Sequence, residues 1–148
     1  MIKKESLKGI KRYWILKDKI NKRGKIVMAF CWTTIQVKDM EESLKFYKDI
    51  VGLKINQRIE VSPSMEIAFL GEGATQVELI DDKDNNDISF NENISLGFRV
   101  SSLDEKMKFV EGEGLEVHSG PFNPNPSTSF FFILDPNGLK VQFVEEIN

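Results

Sequence analysis

From Phe30 onward the spacing of hydrophobic residues changes period several times, and each change marks an element. Phe30–Val37 alternates apolar and polar positions and predicts a strand. Met40–Val51 carries Leu44, Tyr47 and Val51 on one face, which predicts a helix with Asp39 as its cap. Leu53–Val61, Met65–Leu70 and Thr75–Asp81 return to strand patterning, and Gly71-Glu72-Gly73 supplies a tight hairpin turn between the last two. After the polar stretch Asp82–Asn93 the order restarts. A strand is expected over Ile94–Val100, a helix over Leu103–Glu111, a strand over Leu115–His118, and further strands over Thr128–Leu134 and Leu139–Val144. Ser119–Ser127, with three prolines, reads as a stiff loop, either a rim over the open face or an ordinary surface excursion.

The two halves match at an offset of 63: Ile35-Gln36-Val37 meets Phe98-Arg99-Val100, Met40 meets Leu103, and Phe46 meets Phe109. With one residue deleted, Gly52-Leu53 meets Gly114-Leu115. This predicts an α+β fold of tandem βαβββ modules, residues 29–82 and 93–147, forming a cupped mixed β-sheet with helices on the outside. A four-stranded sheet with one helix has one covered face, so the other must find water, a ligand or a partner. Strand alternation assigns Thr33, Ile35 and Val37 to the helix side and Trp32, Thr34 and Gln36 to the cup. By the same rule Gln76, Glu78, Ile80, Ser95, Gly97, Arg99, Lys140, Gln142 and Val144 face the cup. So polar a lining suits a cavity that holds water or a ligand.

The ordered segments TTIQVKDMEESLKFYKDIVGLKI, IAFLGEGATQVELI and LDPNGLKVQFVEE resemble the vicinal oxygen chelate superfamily, over about residues 29–147. That group includes glyoxalase I, extradiol dioxygenases and the bleomycin-resistance binding proteins. The resemblance implies a divalent metal held in the cup by residues on the first and last strands of each module, acting as a Lewis acid on two neighbouring substrate oxygens. Carried over by position, the four ligand sites become Trp32, Glu78, Ser95 and Gln142. Only Glu78 is a good ligand, since lasting metal sites use several strong donors. The expectation is therefore no metal and no other cofactor. His118, the one histidine, is a replacement ligand in a non-standard site or an ordinary strand histidine.

Among the candidate residues, Glu78 is the candidate general base, because a carboxylate facing a cup suits proton abstraction from an acidic C–H. A solvated strand glutamate is the plainer alternative. Trp32 stacks on a planar guest or fills the space of the absent metal, with simple packing the plainer alternative. Arg99 presents a fork suited to a carboxylate or phosphate, or reaches solvent from the strand end. Thr34, Gln36, Ser95, His118 and Gln142 complete the expected ligand-binding set. Phe130, Phe131 and Phe132 must divide between the two faces; Phe131 is taken into the ligand-binding set as aromatic wall of the cup, with core membership the plainer alternative for each of the three.

Charge and composition narrow the function. Residues 1–27 carry a net +8 and residues 28–148 a net −11, so the folded part repels phosphate backbones and nucleic-acid binding through it is disfavoured. The basic segment reads as a tail, as a short surface helix with Leu7, Ile10 and Trp14 on one side, or as sequence preceding a true start at Met28. No stretch approaches the roughly 20 apolar residues of a membrane span. Cys31 is the only cysteine, which excludes an internal disulfide and points to the cytoplasm. The favoured function is binding of a small organic molecule, as a homodimer. The alternative is a glyoxalase I-like lyase or isomerase using Glu78.

Overall fold

The computed structural model describes residues 29–147. The basic segment 1–27 and the expected start at Met28 lie outside the described residues. Eight strands and two helical segments follow as two βαβββ units. The first comprises β1 (Trp32–Val37), α1 (Met40–Lys45, continued by a π-helical stretch Phe46–Val51), β2 (Ile55–Ser62), β3 (Met65–Leu70) and β4 (Gln76–Asp82). The second comprises β5 (Ser95–Arg99), α2 (Leu103–Gly112), β6 (Ser119–Asn125), β7 (Thr128–Leu134) and β8 (Lys140–Glu146). Each unit folds into a mixed four-stranded sheet, ordered β1-β4-β3-β2 and β5-β8-β7-β6, in which the first and last strands run parallel side by side. These are the cupped, helix-backed modules that the periodicity predicts.

Both helices start the same way. Asp39 accepts a hydrogen bond from the Glu42 amide at 2.8 Å, and Ser102 accepts one from the Glu105 amide at 3.3 Å. Such caps are each worth about 1 kcal/mol. A carboxylate from the last strand of each unit takes the next free amide: Asp81 Oδ2 accepts from Met40 at 3.0 Å, and Glu145 Oε2 accepts from Leu103 at 2.7 Å. The first helix ends at Gly52, whose φ of +91° reverses the chain into β2 at little steric cost.

One continuous apolar core joins the two units on their helix side, with Ile35, Val37, Leu44, Tyr47 and Leu79 from the first and Val110, Phe131, Ile133, Val141 and Phe143 from the second. Polar groups fix their docking. The buried Tyr47 hydroxyl donates to Asp135 Oδ2 at 2.9 Å, Asn137 Nδ2 donates to Ser43 Oγ at 3.1 Å, and the Lys38 amide donates to Asn137 Oδ1 at 2.8 Å. Lys106 on α2 donates to the Ile50 carbonyl at the end of the first helix and lies over the rings of Phe109 and Phe143. Burial holds its ammonium below the ordinary lysine range.

The pattern misplaces one strand. Leu115–His118, expected as a strand, is irregular, and the pairing with β7 runs instead over Ser119–Asn125, the segment expected as a rim loop. Only Pro126-Ser127 remains as the turn. Pro121 and Pro124 lack amide hydrogens, so β6 pairs at Ser119, Phe122 and Asn125 with irregularities between them, which an outermost strand tolerates. Gly120 is required there: a Cβ would lie 3.1 Å from the Phe130 oxygen and from Phe131 Cα.

Candidate functional site

Alternating burial along each strand defines the open faces. In β1, Ile35 and Val37 are buried while Thr34 and Gln36 are exposed, and in β4 Val77, Leu79 and Asp81 are buried between half-buried Gln76, Glu78 and Ile80. In β8, Val141 and Phe143 are buried between half-buried Lys140, Gln142 and Val144. Over Thr34–Val37, Gln76–Asp81 and Lys140–Val144 burial alternates with the period that the strand pattern assigns.

Register then sets the neighbours. In the first sheet Trp32 pairs with Gln76, Thr34 with Glu78, and Glu78 with Phe69 of β3. The Thr34 hydroxyl donates to Glu78 Oε2, and Trp32 stands edge-on to Phe69 with ring centroids 6.0 Å apart. In the second sheet Ser95 pairs with Lys140, Gly97 with Gln142, and Gln142 with Phe132 of β7. The units correspond position by position. Trp32, Thr34, Gln76, Glu78 and Phe69 of the first stand where Ser95, Gly97, Lys140, Gln142 and Phe132 stand in the second.

The remaining expected site residues disperse. Arg99 is exposed and donates to Glu146 Oε2 at 2.5 Å, so its fork is engaged at the end of the sheet. His118 is exposed on the irregular segment, tied to β7 only through its backbone amide on the Phe132 carbonyl. Gln36 is exposed on β1. Phe131 is fully buried and packs on Phe143 at 5.4 Å, so it belongs to the core and not to the cup wall. The reason is parity: Phe131 shares the core face with Ile133, which sends Phe130 and Phe132 to the open side. There they form a cluster with Phe122 of β6, with centroids 5.4–6.3 Å apart and Phe122 44 % exposed. Sequence reasoning left Phe122 in a loop, because the prolines hide the strand that carries it.

A cavity of about 350 Å³ lies away from these residues, on the helix side of the first sheet, bounded by Asp39, Arg58, Glu60, Met65, Asp81 and Lys83. Asp81 there anchors the helix, and its carboxylate beside Lys83 raises that lysine's pKa.

The residues at the four ligand positions do not fit a divalent metal. The Trp32 indole nitrogen is a donor only, Ser95 is a neutral hydroxyl and Gln142 a neutral amide. Glu78, the one anionic donor, already accepts from Thr34. Among the described residues, no group of three His, Cys, Asp or Glu side chains is placed to hold a metal ion.

Tandem βαβββ units, a helix-side core and two open sheet faces define a class, and comparison with known proteins agrees. Residues 29–143 match the family described as Glyoxalase/Bleomycin resistance protein/Dioxygenase superfamily, and the chain belongs to it. A lactoylglutathione lyase of Haemophilus influenzae is 30 % identical over 130 residues, covering 80 % of this chain and 93 % of that protein. A glyoxalase family protein from Bacillus cereus superposes with a TM-score of 0.72 at 17 % identity, covering 84 % of this chain and 97 % of the other. An antibiotic binding protein from Streptomyces superposes at 0.65 and 18 % identity, over 82 % and 98 %. These two structures share the fold. No helix among the described residues is long and apolar enough to cross a membrane.

Proposed function

We propose that this protein binds a small organic molecule against the open sheet faces and does so without the divalent metal common in its superfamily. The observation that carries this reading is the donor set: three of the four ligand positions hold Trp32, Ser95 and Gln142, and the fourth, Glu78, is hydrogen-bonded by Thr34. An indole and two neutral polar groups suit an organic guest better than a hard or borderline cation. In this reading the protein works in the cytoplasm as a homodimer and has no cofactor. A thermal-shift screen tests it, since a guest at 100 times its Kd stabilises by about 2.7 kcal/mol. A stabilising organic compound whose effect survives chelator supports the reading, and a requirement for added metal overturns it.

The second reading is a lactoylglutathione lyase-like enzyme or isomerase with Glu78 as general base. The 30 % identity to a protein of that name over most of both chains favours it. Its difficulty is chemical, because the base would work without the electrophilic metal partner that the resemblance implies. Formation of lactoylglutathione that is lost in Glu78→Gln would establish it over the binding reading.

A further inference from the structure

The two open faces differ in one respect that selects a guest, and the inference drawn from it rests on the cup-binding reading above. In the first unit Phe69 faces the open side with the Trp32 indole edge-on beside it, ring centroids 6.0 Å apart at an interplanar angle of 81°. In the second unit Phe132 takes the place of Phe69. The residue in the place of Trp32 is Ser95, and in the place of Thr34 it is Gly97, so Phe132 has no built-in aromatic partner from β5. Phe132 instead joins Phe130 and Phe122, three rings on a face that also carries Lys140, Gln142 and Val144. The position of Gln76, whose amide donates to the Gly71 carbonyl of its own turn, is taken by Lys140. The Lys140 ammonium sits 5.4 Å from the Phe132 ring centroid and makes no ion pair or hydrogen bond with another described residue. Arg99, the other cation on that face, is matched by Glu146.

From this we infer that the second unit takes a planar aromatic guest of about indole size carrying a carboxylate or similar anion. The Trp32–Phe69 pair shows the geometry, because the indole in the first unit occupies the place that the guest takes in the second. An aromatic ring edge-on to Phe132 gains both area burial and the quadrupole preference for that arrangement. Gly97 has no side chain, and the Gln142 amide lies over it: an added Cβ would meet Gln142 Oε1 at 3.2 Å. Lys140 supplies the charge, and an anion beside it completes a pair that no other described residue makes. Gln142 and Ser95 offer neutral polar contacts along the same edge.

Titration of the full chain with indole-3-acetate, indole and tryptamine, followed by calorimetry and amide chemical shifts, tests the inference. Indole-3-acetate is expected to bind more tightly than the other two, with shifts at Ser95, Gly97, Phe132 and Gln142. Lys140→Gln should weaken indole-3-acetate about tenfold and leave indole within about twofold, the loss expected for one charge-assisted contact. Ser95→Trp, which rebuilds the missing indole, should abolish both. Circular dichroism and the melting temperature of each variant show that the fold is retained. Equal or reversed ranking of the three compounds, or variants without effect, overturns the inference. So do shifts at Phe122 and Phe130 that depend on protein concentration alone, which would assign the aromatic patch to a second copy of the chain. Another small molecule shifting these cup resonances while all three probes fail overturns this inference alone. A stoichiometric metal in the same sample overturns the binding reading beneath it.

Discussion

The Thr34 hydroxyl donates to the carboxylate of Glu78 from the directly paired position on the neighbouring parallel strand. The carboxylate at the expected ligand position is thus held by a residue of its own sheet. Glutamine at position 78 keeps an oxygen for that hydroxyl. Glu78→Gln is expected to change stability by less than about 1 kcal/mol, the net worth of one ordinary hydrogen bond, and to leave binding of an organic guest in place. Denaturant unfolding and calorimetry check the two parts. Loss of a measurable lyase activity in this variant would favour the enzyme reading instead.

Tyr47 ties the two units together. Its hydroxyl donates to Asp135 Oδ2, which otherwise receives only a 3.4 Å contact from Asn137 Nδ2, while Oδ1 accepts from the amides of Asn137 and Leu139. Tyr47→Phe leaves a buried carboxylate oxygen short of a donor and is expected to cost about 1–3 kcal/mol. For a chain of this size that lowers Tm by roughly 2–4 °C per kcal/mol in a calorimetric scan.

The same tyrosine makes stability fall in alkali. Burial chiefly, with the nearby Asp135 charge and the hydrogen bond to it adding to the effect, raises the Tyr47 pKa far above its ordinary value of 10.0. A raised folded-state pKa means that the unfolded chain loses its proton first. The Tyr47 contribution is therefore fully present below about pH 10 and declines as pH rises beyond it. The stability difference between wild type and Tyr47→Phe isolates this group, and it should shrink with increasing pH above 10.

Phe131 and Phe132 are adjacent and should behave oppositely. Phe131→Ala empties a fully buried site and is expected to destabilise by about 3–5 kcal/mol. Phe132→Leu, on the open face, should cost under about 1.5 kcal/mol while weakening an aromatic guest. Paired unfolding and binding measurements on the two variants check the assignment of the faces.

What the sequence disclosed follows from which forces are local. Ile35 and Val37, Val77 and Leu79, and Val141 and Phe143 alternate with polar neighbours, so the open faces could be read from period two alone. The caps Asp39 and Ser102 act within three residues, and of these Asp39 was legible for that reason. β6 was hidden because Gly120, Pro121, Pro124 and Pro126 carry the signature of a loop, while its pairing depends on β7. The phenylalanine run gave no parity by itself; the neighbouring Ile133, a core residue, was the available signal. Contacts such as Tyr47 to Asp135 and Lys106 to the Ile50 carbonyl join residues 88 and 56 positions apart, and no local pattern encodes them. The Trp32–Phe69 contact, and its missing counterpart at Ser95, depend on the register of three strands.

Metal content bears most directly on the central claim, that the open faces serve an organic guest without the superfamily's metal. The purified full chain is incubated in turn with nickel, zinc, manganese and iron(II), freed of excess and analysed for bound metal by mass spectrometry. The donor set of Trp32, Glu78, Ser95 and Gln142 predicts far less than one equivalent retained of any of the four. One tightly held equivalent per chain, lost in Glu78→Gln, would contradict the account.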